Sequence, residues 1–267
     1  MSNPQVPVQP PAEVQGAIDT HCHLFLMEAD PADTVAEARD AGVSHLVCVG
    51  IDPDSSKKSR ELAESFRGVF ATAGVHPHTA SDFDRRAGAV IEELAADPLI
   101  VAIGETGLDY YRRLSPIEDQ QRAFRTHIAL SRETDKTLVV HVRDAWDDAL
   151  QILAEESAER VVLHCFSGDE LLSKEAQARG YFVSFAGNVT YPNAEGLRSA
   201  AGSLEAGQLL VETDSPFLAP QAARGRPNSP ANVILTLQQI ATVRGLNLHQ
   251  MVEVTAKASS RAFPFIR

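Results

Sequence analysis

"AIDTHCHLFL", residues 17–26, runs an apolar lead-in into His21, Cys22 and His23 and then returns to Leu24, Phe25 and Leu26. In a strand, positions i and i+2 share a face, so the two imidazoles project side by side while Cys22 turns the other way. Such a pair is either two hydrogen-bonded histidines or half of a metal site. Apolar runs of the same kind recur along the chain. They are "HLVCVG" (45–50), "VFATAGVHP" (69–77), "LIVAIGETGLD" (99–109), "TLVVHVRD" (137–144), "RVVLHCFSG" (160–168), "YFVSFAGNVT" (181–190) and "QLLVETDSPF" (208–217). With the first, that makes eight. They are rich in Val, Ile, Leu and Phe without clean polar alternation, as expected of strands covered on both faces.

Amphipathic stretches separate the runs. "DPADTVAEARDAG" offers Asp30 as N-cap, Pro31 at the first helical position and Gly42 as the stop. "SPIEDQQRAFRTHIALSRET" opens on a capping box from Ser115 to Glu118, with Pro116 in the first turn. Two more helices, "SPANVILTLQQIATVRG" and "NLHQMVEVTAKASSRAF", follow the eighth run. Eight β/α units in 267 residues predict a single-domain (β/α)8 TIM barrel. The first 16 residues, "MSNPQVPVQPPAEVQG", carry four prolines and no hydrophobic core, and read as a disordered extension before a barrel over 17–267.

Composition narrows the function classes. No apolar run is long enough to span a membrane. Three cysteines (Cys22, Cys48, Cys165) sit in or beside apolar runs without a CxxC pair, which suits a reducing cytoplasm and excludes a disulfide scaffold. A net charge of −12 excludes a broad basic DNA-binding surface, so attraction to nucleic acid must come from a few arginines and bound cations.

In a barrel of this kind chemistry gathers at the C-terminal ends of the strands. There the chain places His21 and His23 (first strand), His76 and His78 (third), Glu105 (fourth), His141 (fifth), His164 (sixth) and Asp214 (eighth). Neutral imidazoles and carboxylates suit Zn²⁺, Mn²⁺ and related ions, and Mg²⁺ could act with retained waters. Five or six of these metal-competent side chains would converge on one mouth, more than one tetrahedral ion needs, which is compatible with two ions sharing a carboxylate. His45, His127 and His249 read as surface or packing residues. Cys22 and Cys165, each beside a proposed ligand on a strand, read as small core residues facing away from the mouth.

With these residues assembled, the sequence resembles the TatD family of metal-dependent deoxyribonucleases, a branch of the amidohydrolase superfamily. The matching motifs are "DTHCHL" (19–24), "GVHPH" (74–78), "IGETGLDYYR" (103–112), "VVHVRDA" (139–145), "LHCFSG" (163–168), "VETDSPFL" (211–218) and "RGRPNSPANV" (224–233). The resemblance implies one metal on His21, His23, Glu105 and Asp214 and a second on Glu105, His141 and His164, with Glu105 bridging. Asp214 would also accept the proton of the attacking water, and His76 would contact the scissile phosphate. Tyr110 and Arg112 would line the substrate groove, packing being the other reading of Tyr110. Ser167 and Gly168 would hold a phosphate through N–H groups. Arg226 and Asn228 would either contact an anion or fix their loop. No lysine stands at a strand end to bridge metals, since Lys136 precedes the fifth strand.

The leading expectation is therefore a monomeric deoxyribonuclease with two divalent ions (Mg, Mn or Zn). It would trim single-stranded DNA from the 3′ end and have no membrane partner. The alternative is a hydrolase of carboxylic esters, lactones or aminoacyl esters at the same site, because this fold hosts several hydrolytic chemistries. A binding protein with a degraded site is disfavoured, since every proposed ligand is present.

Overall fold

The computed structural model describes residues 14–264 and 266. Residues 1–13 of the expected extension lie outside the described residues, and Val14 is already buried in the core. Strands form within all eight apolar runs: β1 (Ala17–Cys22), β2 (Val43–Val49), β3 (Val69–Ala73), β4 (Ile100–Asp109), β5 (Thr137–Arg143), β6 (Val161–Leu163), β7 (Phe182–Phe185) and β8 (Leu209–Val211). Each pairs in parallel with its successor. The ring closes where Cys22 bridges Ser215, with the His23 N–H donating to Ser215 O (2.8 Å) and the Asp214 N–H to His21 O (2.9 Å). The chain is a (β/α)8 barrel.

Parallel neighbours need a crossover, and helices supply it. They are α1 (Pro31–Asp40), α2 (Pro53–Ser65), α3 (Arg85–Ala95), α4 (Ile117–Glu133), α5 (Trp146–Glu155), α6 (Glu170–Ala178) and α7 (Glu195–Ser203), with α8 (Val233–Arg244) and α9 (Leu248–Ala262) after β8. None is long and apolar enough to cross a membrane. α1 starts as its sequence predicts, with Asp30 Oδ1 accepting from the Ala32 N–H at 2.8 Å. It stops at Gly42, whose φ is +92° and where a Cβ would stand 1.9 Å from Val14 O, so only glycine fits. α4 departs from expectation. Pro116, not Ser115, holds the N-cap position, and no side chain caps the helix. The Ser115 hydroxyl is buried among the loop after β3 instead, donating to His78 O (2.9 Å) and accepting from the Ser81 N–H (3.1 Å). A buried hydroxyl goes where it can pair on both sides, and here that partner is long-range.

Along the strands, an apolar floor alternates into a polar rim. Val139 and His141 are two residues apart on β5, and Val162 and His164 stand in the same relation at β6, so each valine shares a face with the histidine beyond it. Val139, Val162, Val47, Val101, Phe182 and Leu210 belong to one buried cluster with Phe263 and Ile266, which follow α9. β6 and β8 stop at Leu163 and Val211, earlier than their apolar runs suggest. Left-handed backbone at Cys165 (φ +44°) and Asp214 (φ +53°) turns the chain out of the pairing.

His127 is a packing residue. It is 1% exposed, its Nδ1–H donates to Ala123 O (2.7 Å), and its Nε2 accepts the Val75 N–H (3.1 Å). It thereby pins the loop carrying His76 to α4. Both nitrogens are committed to the neutral ring, and burial pushes its pKa down to about 4. Because this lies below the unfolded imidazole value, protons favour the unfolded chain as pH falls from about 6.5 towards 4. Replacing His127 by Gln is expected to remove about 2–4 kcal/mol of acid-dependent stability loss over that window. Urea unfolding at stepped pH measures it, and an unchanged slope in the variant would contradict the assignment.

Candidate metal centre

His21 is the last residue but one of β1, His23 lies just past its end, and Glu105 is the sixth residue of the ten-residue, wholly buried β4. The β3 and β4 backbones approach so closely that a Cβ on Gly74 would lie 2.5 Å from Gly104 Cα. Glycine there lets the loop bearing His76 lie against Glu105. His141 comes from β5, His164 from just past β6, and Asp214 from the loop after β8. Positions nearly 200 residues apart in the chain thus meet at one mouth.

Glu105 stands at the centre. Its Oε1 lies 2.8 Å from His164 Nε2, 3.1 Å from His141 Nδ1 and 3.3 Å from His76 Nε2. Its Oε2 lies 3.3 Å from His21 Nε2 and 3.8 Å from His23 Nε2. Asp214 Oδ1 completes that second side, 3.4 Å from His23 Nε2 and 3.8 Å from His21 Nε2. One buried carboxylate therefore faces two separate sets of imidazoles.

Partners on the far edge of each ring fix which nitrogen carries the proton. His23 Nδ1 lies 2.8 Å from Val49 O, which can only accept, so its Nε2 presents a lone pair. His164 Nδ1 faces Glu212 Oε1 at 3.3 Å and His141 Nε2 faces Asp109 Oδ2 at 3.4 Å, which leaves lone pairs on His164 Nε2 and His141 Nδ1. Those two atoms are 3.2 Å apart, and His21 Nε2 and His23 Nε2 are 3.3 Å apart, so each pair shares either a proton or a cation. Two ligands at 2.0–2.1 Å from one tetrahedral ion are separated by about 3.3 Å, so the residues fit a divalent cation. His76 differs: its Nδ1 accepts the His78 N–H (3.0 Å), so the neutral ring carries its proton on Nε2. Burial brings its pKa down to about 4, which keeps it neutral. Although His76 reaches the same cluster as Glu105 and His141, it is built as a donor and suits an anion better than a metal.

The charges agree. Burial would raise the Glu105 pKa, but the surrounding histidines, His164 foremost, hold it well below the usual carboxylate range. Burial works against a charged His164, yet Glu105 and Glu212 outweigh it and raise its pKa well above the ordinary imidazole value. The site demands positive charge.

The mouth is a cavity of about 710 Å³ lined by His76, Arg112, Arg143, Ser167, Asn188 and Phe217 beside the cluster. Of the expected substrate contacts, it brings together His76, Arg112 and Ser167. Tyr110 instead points its hydroxyl at Asp148 Oδ2 (2.7 Å), a packing role. Gly168 lies against Phe166 and Leu172, where a Cβ would clash. Arg226 lines a neighbouring groove that shares only Leu26 with the mouth. Asn228 is 1% exposed and fixes its loop, its Nδ2 donating to Thr213 O (2.9 Å) and Phe217 O (2.6 Å). Cys22 is buried as expected, but Cys165 is not a core residue. Its left-handed backbone breaks the strand periodicity and turns it into the mouth wall.

Sequence reasoning passed over several residues. Asp109 (bonded to His78 Nε2 at 2.8 Å), Glu212 and Asp19 are all wholly buried. Asp19 Oδ1 accepts the Thr213 N–H (2.9 Å) and its Oδ2 the Thr213 hydroxyl (2.6 Å), sewing β1 to the chain after β8. The signal was there: Asp19-x-His21 and Glu212-x-Asp214 repeat the i, i+2 spacing that marked the histidines. The exposed large apolar side chains among the described residues also form a pattern. Leu26, Tyr111, Leu114, Leu171 and Phe217 all follow the C-terminal ends of strands, at the rim.

Residues 18–264 match the family model described as TatD related DNase. The chain is 35% identical over 249 residues to the uncharacterized metal-dependent hydrolase YabD of Bacillus subtilis, covering 92% of this chain and 98% of that one. It is 37% identical over 224 residues to the 3′-5′ ssDNA/RNA exonuclease TatD of Shigella flexneri, covering 81% and 86%. Among solved structures, the Escherichia coli TatD homologue YjjV superposes with a TM-score of 0.88 at 24% identity, covering 93% and 98%, which speaks for the fold.

Two outcomes follow for metal. Chelation is expected to strip bound metal and leave the barrel folded by circular dichroism, because the cluster sits at the mouth and not in the core. Glu105→Ala is expected to lower metal content, measured by elemental analysis, more than substitution of any single histidine. Unaltered metal content in Glu105→Ala would refute its central place.

Proposed function

The chain belongs to the TatD family, and from that premise we propose that it is a two-metal phosphodiesterase that trims single-stranded DNA from the 3′ end. The observation that carries this reading is the two-sided Glu105, set in a mouth whose lining offers His76, Arg112 and Arg143 to an anion. In a protein of net charge −12, two arginines beside the cluster and the neutral donor His76 favour a phosphodiester over a neutral carboxylic ester. The family relative named as a 3′-5′ ssDNA/RNA exonuclease supports the same polarity and strand preference.

In this reading His21, His23, Glu105 and Asp214 hold one divalent ion, and Glu105, His141 and His164 the other, the ions being Mg²⁺, Mn²⁺ or Zn²⁺. When bound, they supply Lewis acidity and lower the pKa of water. Burial would raise the Asp214 pKa, but His23 and His21 hold it down, so its carboxylate is ionised and can take the proton of the attacking water. His76 directs its Nε2–H at a non-bridging phosphate oxygen. Arg112 and Arg143 offset phosphate charge at the mouth. Phe217, half exposed with its ring 6.2 Å from that of His23, offers a face on which an unpaired base can stack. Water adds to phosphorus and gives its proton to Asp214; the bond from phosphorus to the 3′ oxygen of the preceding nucleotide breaks, that oxygen takes a proton from solvent, and a 5′-mononucleotide leaves. The three cysteines are free, which fits a reducing cytoplasm.

A substrate panel tests the reading: 3′- and 5′-labelled single-stranded DNA, lactones and aminoacyl esters, run on one preparation with Glu105→Ala as the control for contaminating nuclease. DNA shortening from the 3′ end that disappears in the control is expected. DNA cleavage that persists in the control while ester hydrolysis is lost would replace the reading with the esterase. Asp214→Asn separates the roles of the carboxylates. It keeps a coordinating oxygen but cannot take a proton, so kcat should fall about 10²-fold or more while metal content falls less than in Glu105→Ala. Normal turnover in Asp214→Asn would remove the residue from the role of base.

A further inference from the structure

Three wholly buried carboxylates remain outside the mechanism; Asp19 closes the seam to Thr213, which leaves Asp109 and Glu212. Asp109 and Glu212 are both 0% exposed, and an ionised carboxylate is removed from water at high cost unless its partners repay it. Their partners are informative. Asp109 Oδ2 lies 2.8 Å from His78 Nε2 and 3.4 Å from His141 Nε2, and its Oδ1 accepts the Arg112 N–H at 2.7 Å. Glu212 Oε1 accepts the Cys165 N–H at 2.8 Å and lies 3.3 Å from His164 Nδ1. A carboxylate thus stands on the far edge of each of His141 and His164, opposite the nitrogen that faces Glu105: Glu212 at hydrogen-bond distance from His164, and Asp109, whose hydrogen bond goes to His78, within ion-pair distance of His141. No carboxylate stands behind the other pair. His23 leans on the neutral Val49 carbonyl, and His21 Nδ1 finds no partner.

We propose that Asp109 and Glu212 are positioning residues for a single metal, the one between His141, His164 and Glu105. Glu212 takes the His164 N–H, and Asp109 places its negative charge 3.4 Å from His141 Nε2; each favours the tautomer that would turn a lone pair onto the ion and raises the basicity of that ligand. Asp109 has a second task. By holding the Arg112 N–H it fixes the loop that brings this arginine to the mouth, so it ties the metal ligand to the phosphate contact. Glu212 has no contact of that kind. The inference rests on the two-metal reading of the site.

Asp109→Asn and Glu212→Gln keep shape and remove charge. Zn²⁺ titration by calorimetry into the chelator-treated full chain is expected to show two equivalents in the parent protein. In each variant one equivalent should weaken by about 10–100-fold while the other holds. Long-range ¹H–¹⁵N spectra of the Zn²⁺-loaded protein should show unmetallated Nε2–H on His141 and Nδ1–H on His164, and loss of that single tautomer at the affected ring. Asp109→Asn alone should also raise KM for single-stranded DNA, through Arg112. Gln120→Ala is the control. Gln120 bonds only the Asp109 main chain (2.8 and 3.3 Å) and Ser115 O (2.9 Å), so the variant loosens the loop without touching an imidazole and should leave both affinities unchanged. Two unweakened equivalents in both variants, or equal weakening in Gln120→Ala, would overturn the proposal. One equivalent in the parent protein would instead overturn the two-metal reading beneath it.

Discussion

One buried carboxylate organises this barrel. Glu105 is 2% exposed, yet it is held ionised by imidazoles on both sides, His141 and His164 at one oxygen and His21 and His23 at the other. A charge cannot sit there unless the ring of nitrogens around it is complete. Those nitrogens come from β1, β5 and the loop after β6, so the closed sheet is the condition for the cluster. The seam that closes it is polar. Asp19 grips Thr213, and Asp214 and His23 exchange main-chain hydrogen bonds with the opposite strand end. The same few residues that shut the ring thus aim His21, His23 and Asp214 inward.

Much of this was legible in the sequence, for a physical reason. Parallel strands buried on both faces leave continuous apolar runs, and a histidine or carboxylate at the end of such a run stands out against them. The (β/α)8 architecture follows from that contrast, and so does a set of eight strand-end residues, from which the resemblance to the TatD family picked the six proposed ligands. The i, i+2 spacing of His21 and His23 implied a shared direction, and their Nε2 atoms stand 3.3 Å apart.

What the sequence hid depended on remote partners or on unusual backbone. Nothing around Ser115 says that its hydroxyl will be drawn to His78 O in place of capping α4. Nothing in "LHCFSG" announces that Cys165 takes a left-handed conformation, which ends β6 and turns the thiol-bearing residue to the mouth. Tyr110 and Asn228 look like groove residues in their motifs. Asp148 and the loop carbonyls of Thr213 and Phe217 claim them instead. Asp109, the last residue of β4, and Glu212, just past β8, stand at strand ends like the proposed ligands, but nothing in the sequence says which ring each will face. The exposed apolar side chains were hidden for a related reason, since Leu26, Tyr111 and Phe217 follow β1, β4 and β8 while Leu171 opens α6, and they come to the same end of the barrel only once it is closed.

In the proposed two-metal reading, Glu105 would be the ligand held in common by both ions. Electron paramagnetic resonance of the chelator-treated protein reloaded with two equivalents of Mn²⁺ reads this directly, because exchange coupling requires a shared ligand. The account predicts a spin-coupled pair whose signal collapses to that of isolated Mn²⁺ in Glu105→Gln. Two uncoupled Mn²⁺ signals in the parent protein, or a coupled pair that survives Glu105→Gln, would contradict it.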